Sequence, residues 1–189
     1  MRCIKITVIL LILVIVAGIG YFAAGGYNAA ADKPHWALTL SVLDFVRDRS
    51  TEVRSDDVVV PPDLNNTTRI ARGAKLYDQM CVICHLAPGI KNTELREGLY
   101  PQPPSLTDIS DLSTKEMFYI ITHGYKMTGM PAWGKTHKPE LIWDMVAFLQ
   151  KLPQLTPEQY KAMTAEADPG SHGQDHDHGI PQMRCGGDK

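Results

Sequence analysis

Five consecutive residues, Cys81-Val82-Ile83-Cys84-His85, constrain this chain more than any other feature of it. On a helix, two thiols three residues apart share one turn, so both can bond one edge of a flat macrocycle. The histidine that follows then sits beneath the centre of the same ring. This spacing is the pattern of covalent c-type haem attachment, with Cys81 and Cys84 supplying thioethers to the two vinyl groups and His85 the proximal axial ligand of the iron. Two other uses of a Cys-x-x-Cys pair fit less well. A thioredoxin-like pair needs a strand before it and a helix opening at the first cysteine, whereas a helical pattern runs into this motif. A zinc site needs a second Cys/His pair at ligand spacing, and no later Cys-x-x-Cys follows in the part of the sequence that can build a core.

With 189 residues the chain has room for one ordinary domain plus an anchor and a tail. Its net charge of −2 and the lack of basic blocks exclude a nucleic-acid binder. The two cysteines outside the pentad, Cys3 and Cys185, lie at opposite ends and imply no disulfide framework. At the N-terminus, Ile6 to Ala24 is an uncharged run of 19 residues, about 28 Å as a helix and enough for a bilayer core. It reads as a retained anchor. A cleaved signal remains the alternative, since Ala29-Ala30-Ala31 offers a cleavage site. Arg2 and Lys5 before the run place everything after it on the far side of the membrane under either reading.

The expected organisation is an anchor over residues 1–31, an amphipathic helix and linker over 32–66, a helical domain over 67–153, and a short helix with a tail over 154–189. Leu38, Val42, Phe45 and Val46 recur at helical spacing after His35-Trp36, a pair suited to the headgroup region. Such a helix packs on the domain or on the membrane surface. Ile70, Gly73, Ala74, Tyr77 and Cys81 share the face of a helix that delivers the pentad. Gly73 costs about 1 kcal/mol against alanine there, so another helix should approach it closely; the apolar stripe within residues 140–152 is the best partner. Ser113 with Glu116, and Thr156-Pro157 with Gln159, predict two further helix starts by capping box. Gly124 predicts a stop. No segment alternates as a strand, so the fold class is all-α around one buried, covalently held haem.

Downstream of the pentad runs Lys126-Met127-Thr128-Gly129-Met130-Pro131-Ala132-Trp133. Together with the pentad, this stretch resembles the class I monohaem cytochromes c, specifically their membrane-anchored bacterial periplasmic members, over roughly Thr67 to Pro153. The resemblance implies that Met130, in a Met-Pro-Ala-aromatic segment, is the distal axial ligand of the haem c iron. A thioether in a loop bracketed by glycine and proline is rigidly placed and polarizable enough for the task. Met127 is the rival, and an open iron the further alternative. The resemblance also implies that the Pro88 carbonyl accepts a hydrogen bond from the His85 ring, that the segment from Tyr100 to Leu106 lies along the haem, and that Trp133 walls its pocket. Tyr100 and its neighbours could equally form an ordinary proline-rich turn, and Trp133 plain core. Lys75, Lys91, Lys126, Lys135 and Lys138 could rim an exposed haem edge.

A doubly ligated iron has no substrate position, so the implied function is electron carriage rather than catalysis. The expected setting is a bacterial inner membrane, single-pass, with the domain in the periplasm. Expected partners are membrane-bound redox proteins such as a quinol-oxidising complex, a dehydrogenase or a terminal oxidase. One alternative is an electron-transfer subunit of a larger membrane dehydrogenase or reductase. Another is a metal-handling protein, since the Gly, Asp and His-rich tail carries His172, His176 and His178, imidazoles suited to copper, nickel or zinc. The same composition also fits a solvated tail without a core.

Overall fold

The computed structural model describes residues 2–108 and 111–165. Eight α-helices form among them, and the only β-type pairing is an isolated bridge between Ala87 and Ile90. The apolar run becomes α1, Arg2–Ala23, long and apolar enough to cross a membrane and with none of its residues buried. Then follow α2 (Ala37–Ser55), α3 (Thr67–Met80), α4 (Val82–His85) and α5 (Glu94–Gly98). The chain closes with α6 (Thr114–His123), α7 (Pro139–Leu149) and α8 (Pro157–Thr164).

Helix boundaries follow local chemistry. Ser113 and Glu116 form the expected capping box at the start of α6, and Thr156 and Gln159 form another at α8. Helix α6 ends at Gly124, whose φ of 61° lies in the left-handed region. Asn66 caps α3 by accepting from the Thr68 amide at 2.8 Å.

The core is the crossing of α3 on α7, and Gly73 makes it possible. A methyl group at Gly73 would lie 1.9 Å from the Asp144 carbonyl oxygen and 2.9 Å from Phe148 Cβ, so only hydrogen there lets the backbones meet. Tyr77 stacks at a tilt on Phe148, with ring centres 5.4 Å apart, and both are fully buried. At the same crossing Asp144 is buried with its charge answered from α3. Arg69 Nη1 donates to Asp144 Oδ1 at 2.9 Å, and Arg72 Nε lies 2.8 Å from Oδ2. Breaking such a pair strands a charge in the core. Phe118 on α6 stacks on Trp143 of α7 at 4.1 Å, adding the third helix to the same core.

Two flanking segments belong to this core as well. Leu64, in the stretch expected as a linker, is 7% exposed and packs with the core helices. Tyr160 of α8 is 5% exposed and donates to Asp78 Oδ1 at 2.7 Å, so helical packing continues beyond Pro153. On the opposite side α2 lies against α6. The hydroxyls of Thr51 and Tyr125 meet at 2.9 Å, and Lys115 Nζ donates to the Asp56 carbonyl at 2.6 Å.

The Gly73→Ala variant should lose about 2–3 kcal/mol of stability, outweighing the roughly 1 kcal/mol that alanine contributes to a helix. Urea unfolding of the haem-loaded protein should show this as a lower midpoint at unchanged slope; an unchanged midpoint would mean the crossing tolerates separation.

Candidate functional site

Helix α3 runs straight into the pentad. Cys81 closes α3, donating its amide to the Tyr77 carbonyl at 2.8 Å, and accepts from the His85 amide at 2.8 Å, so Cys81, Cys84 and His85 share one helical turn. That turn stops abruptly. Leu86 has φ 63° and ψ −179°, a region populated almost only by glycine, and it is 5% exposed. The Tyr77 hydroxyl holds it there by donating to the Leu86 carbonyl at 2.5 Å. Burial raises the Tyr77 phenol well above its ordinary range, so it remains a donor at any physiological pH.

The thiols are not poised as nucleophiles. Burial pushes Cys81 up to about 12, with the neighbouring Cys84 adding to the shift, and burial raises Cys84 also. A redox-active Cys-x-x-Cys pair needs the opposite shift. Among the described residues no three His, Cys, Asp or Glu side chains converge to hold a free metal ion. Two thiols free of disulfides on one turn match the donor set for thioether attachment.

His85 is fixed by a long-range contact. Its Nδ1 lies 2.9 Å from the carbonyl oxygen of Pro104, which orients the ring and directs Nε2 away from the backbone it grips. Burial lowers the His85 pKa, the Pro104 bond opposes this, and Arg96 nearby lowers it further; the net shift favours the neutral imidazole that metal ligation requires. The expected acceptor, Pro88, does not take this role. Past Leu86 the chain closes a tight turn, Ile90 N donating to Ala87 O at 2.8 Å. That turn carries Pro88 into a cleft with Lys91, Leu152 and Pro153, beside the connection between α7 and α8. The acceptor is found instead 19 positions along the chain from the ring it holds.

Helix α5 fastens that acceptor. Thr93, its N-cap, donates to the Ile83 carbonyl within the pentad and accepts from the Arg96 amide at 3.2 Å. Arg96 Nε then donates to the Pro103 carbonyl at 3.0 Å. A circuit of hydrogen bonds thus leaves the pentad at Ile83, passes through Thr93 and Arg96, and returns to it at His85.

The second loop arrives over Gly124. A methyl there would meet the Met130 carbonyl oxygen at 2.6 Å and the Pro131 carbonyl at 2.7 Å, so glycine lets the Met130 backbone cross the end of α6. Thr128 Oγ1 accepts from the Met130 amide at 3.1 Å. Gly129 approaches the side chain of Leu99, where a methyl would lie 2.8 Å from Leu99 Cδ2, and this brings the Met130 loop against the loop that holds His85. Met130 is half-buried and packs on the core, whereas Met127 is 74% exposed. Trp133 is half-buried on the same core, edge-on to His137 at 5.4 Å. The Tyr100 hydroxyl accepts from the His35 amide at 2.9 Å, and its ring lies edge-on to His35 at 5.2 Å. His172, His176 and His178 fall outside the described residues.

These donors fit a covalently held haem: two protonated thiols and a neutral, oriented imidazole on one turn, with a half-buried thioether on the adjoining loop. Residues 68–149 match the family model described as cytochrome c oxidase, cbb3-type, subunit III. No curated protein matches the chain. The match spans the crossing of α3 on α7, the pentad and the Met130 loop, so these elements build an all-helical cytochrome c domain, consistent with the monohaem class I type.

Proposed function

We propose that this protein is a membrane-anchored carrier of single electrons, its one haem domain facing the bacterial periplasm. The observation that carries the reading is the His85 ring, held by Pro104 on the same turn as the two thiols of Cys81 and Cys84. The bound haem supplies a reversible one-electron couple at its iron. Cys81 and Cys84 would hold it through thioethers, with His85 Nε2 and the Met130 sulfur as the protein ligands of its iron. With both of these ligands bound, no position would be left for a substrate. The chain's task is then to orient, to exclude water and to tune. Leu86 and Ala87, buried directly after the pentad, would keep water from that side, which disfavours the more highly charged oxidised state and raises the potential.

The exposed α1 supports anchoring, and confinement to the membrane plane raises the effective concentration near membrane-bound partners. Such partners would be a quinol-oxidising complex, a dehydrogenase or a terminal oxidase. Lys91, Lys126, Lys135 and Lys138 are exposed and suit weak, salt-sensitive docking. The family description favours a second reading, a subunit wired permanently to a larger membrane oxidase or reductase. Extraction in mild detergent separates the two: a carrier comes out alone, a subunit in a stable complex.

The Met130→Ala variant should lower the reduction potential and abolish the far-red charge-transfer band of a methionine-ligated ferric haem, while Met127→Ala leaves both unchanged. An unaltered spectrum in Met130→Ala would remove Met130 from the iron. Arg96→Ala should shift both the potential and the nuclear magnetic resonances of the His85 ring protons, with Arg96→Lys falling between it and the parent. If neither quantity moves in Arg96→Ala, Pro103 and Pro104 hold His85 without help from the guanidinium.

A further inference from the structure

Helix α2 presents two faces of opposite character. Its inner face is engaged: Thr51 and Ser55 are buried, Leu40 and Leu43 are half-buried, and Thr51 meets Tyr125 beyond the end of α6. Its outer face is apolar and open. Leu38 is 76% exposed, Val42 52%, Phe45 70%, Val46 56% and Val53 50%. At 100° per residue Leu38, Val42, Phe45 and Val46 fall within a stripe roughly 100° wide, the width of a helix face built to be covered, and Val53 continues it beyond Arg49, whose guanidinium pairs with Glu52 at 2.7 Å. Soluble surfaces rarely leave four large apolar residues together on one helix face without a partner.

The start of α2 says what covers the stripe. The Trp36 ring lies 6.3 Å from that of Tyr21 in the last turn of α1 and 5.3 Å from that of Tyr27, and the Tyr27 hydroxyl hydrogen-bonds His35 Nδ1. The segment between the helices is therefore folded back on itself, and α2 begins beside the end of α1. A cluster of tyrosine, tryptophan and histidine at this point matches the chemistry of the headgroup layer. Charges on α2 are compensated within the helix: Arg47 pairs with Asp44 at 2.7 Å and Asp48 at 2.8 Å, and Arg49 with Glu52 at 2.7 Å. With three acids and three arginines, α2 has no net attraction to anionic lipid.

We propose that the outer face of α2 is a membrane-docking surface, seating Leu38, Val42, Phe45, Val46 and Val53 at the headgroup and acyl-chain boundary of the bilayer that α1 crosses. This rests on the anchored reading above. Affinity comes from apolar burial, so docking needs no anionic lipid and persists at raised salt.

The test places single nitroxide labels at Val42→Cys, Phe45→Cys, Asp48→Cys and Leu11→Cys in a Cys3→Ser, Cys185→Ser background. The full-length, haem-loaded protein is then reconstituted in nanodiscs of zwitterionic lipid. Labels at 42 and 45 should be several-fold more accessible to oxygen than to a water-soluble nickel chelate, and the label at 48 the reverse, with no change at raised salt. Labels at 42 and 45 that behave like the one at 48, while the label at 11 lies in lipid, would overturn the docking surface and leave the anchor standing. Labels shielded from both reagents would show that a second copy covers the stripe, and would overturn lipid as the occupant. A label at 11 exposed to the chelate would remove the anchor and the docking surface with it.

Discussion

The close approach of α3 to α7 at Gly73 governs the rest of the domain. With no side chain at that position, the Asp144 backbone sits against α3, and Tyr77 and Phe148 interlock one turn further along. Because the pentad continues directly from α3, the placement of that helix also places both thiols and the imidazole. Asp144 is the cost of this arrangement: a carboxylate with no exposed surface, compatible with folding because two arginines from the opposite helix reach it. The ion pairs fix which turn of α3 faces which turn of α7, and therefore how far along the axis the pentad emerges.

Local chemistry made much of this legible beforehand. The capping boxes at Ser113 and Thr156, the stop at Gly124 and the packing reason for Gly73 each depend on residues within a turn or two, or on a helix face that periodicity exposes. What escaped the sequence depends on chain segments that meet only after folding. The acceptor for His85 is the clearest case. Pro88 is close in sequence and looked suited, but the strained Leu86 and the tight turn after it carry the chain away, and a carbonyl from the Tyr100 to Leu106 stretch takes the ring instead. The Thr93 and Arg96 contacts were missed for the same reason, since nothing in the spacing of a five-residue helix announces which carbonyl its arginine will meet. Leu64 falls in the stretch expected as a linker and Tyr160 in the short helix expected after the domain; packing on a core built elsewhere buries both, with Val58, Val60 and Met163 partly buried beside them.

The electrostatic design of the site is uniform in one respect. Cys81, Cys84 and His85 are all biased by burial toward their neutral forms. A neutral imidazole held by a hydrogen bond is the form that metal ligation requires.

The Tyr100 hydroxyl accepts from the His35 amide, and Tyr125 meets Thr51 of α2. Each tyrosine opens onto a different ligand loop, one leading to Pro104 and the other to Met130. The segment between the two N-terminal helices is thus no slack leash from which a globule swings. Through His35 it is tied to the Tyr100 loop, and α2 after it is tied through Thr51 to Tyr125. If α1 crosses a membrane as proposed, these two ties would set the height and tilt at which the pentad is presented above it.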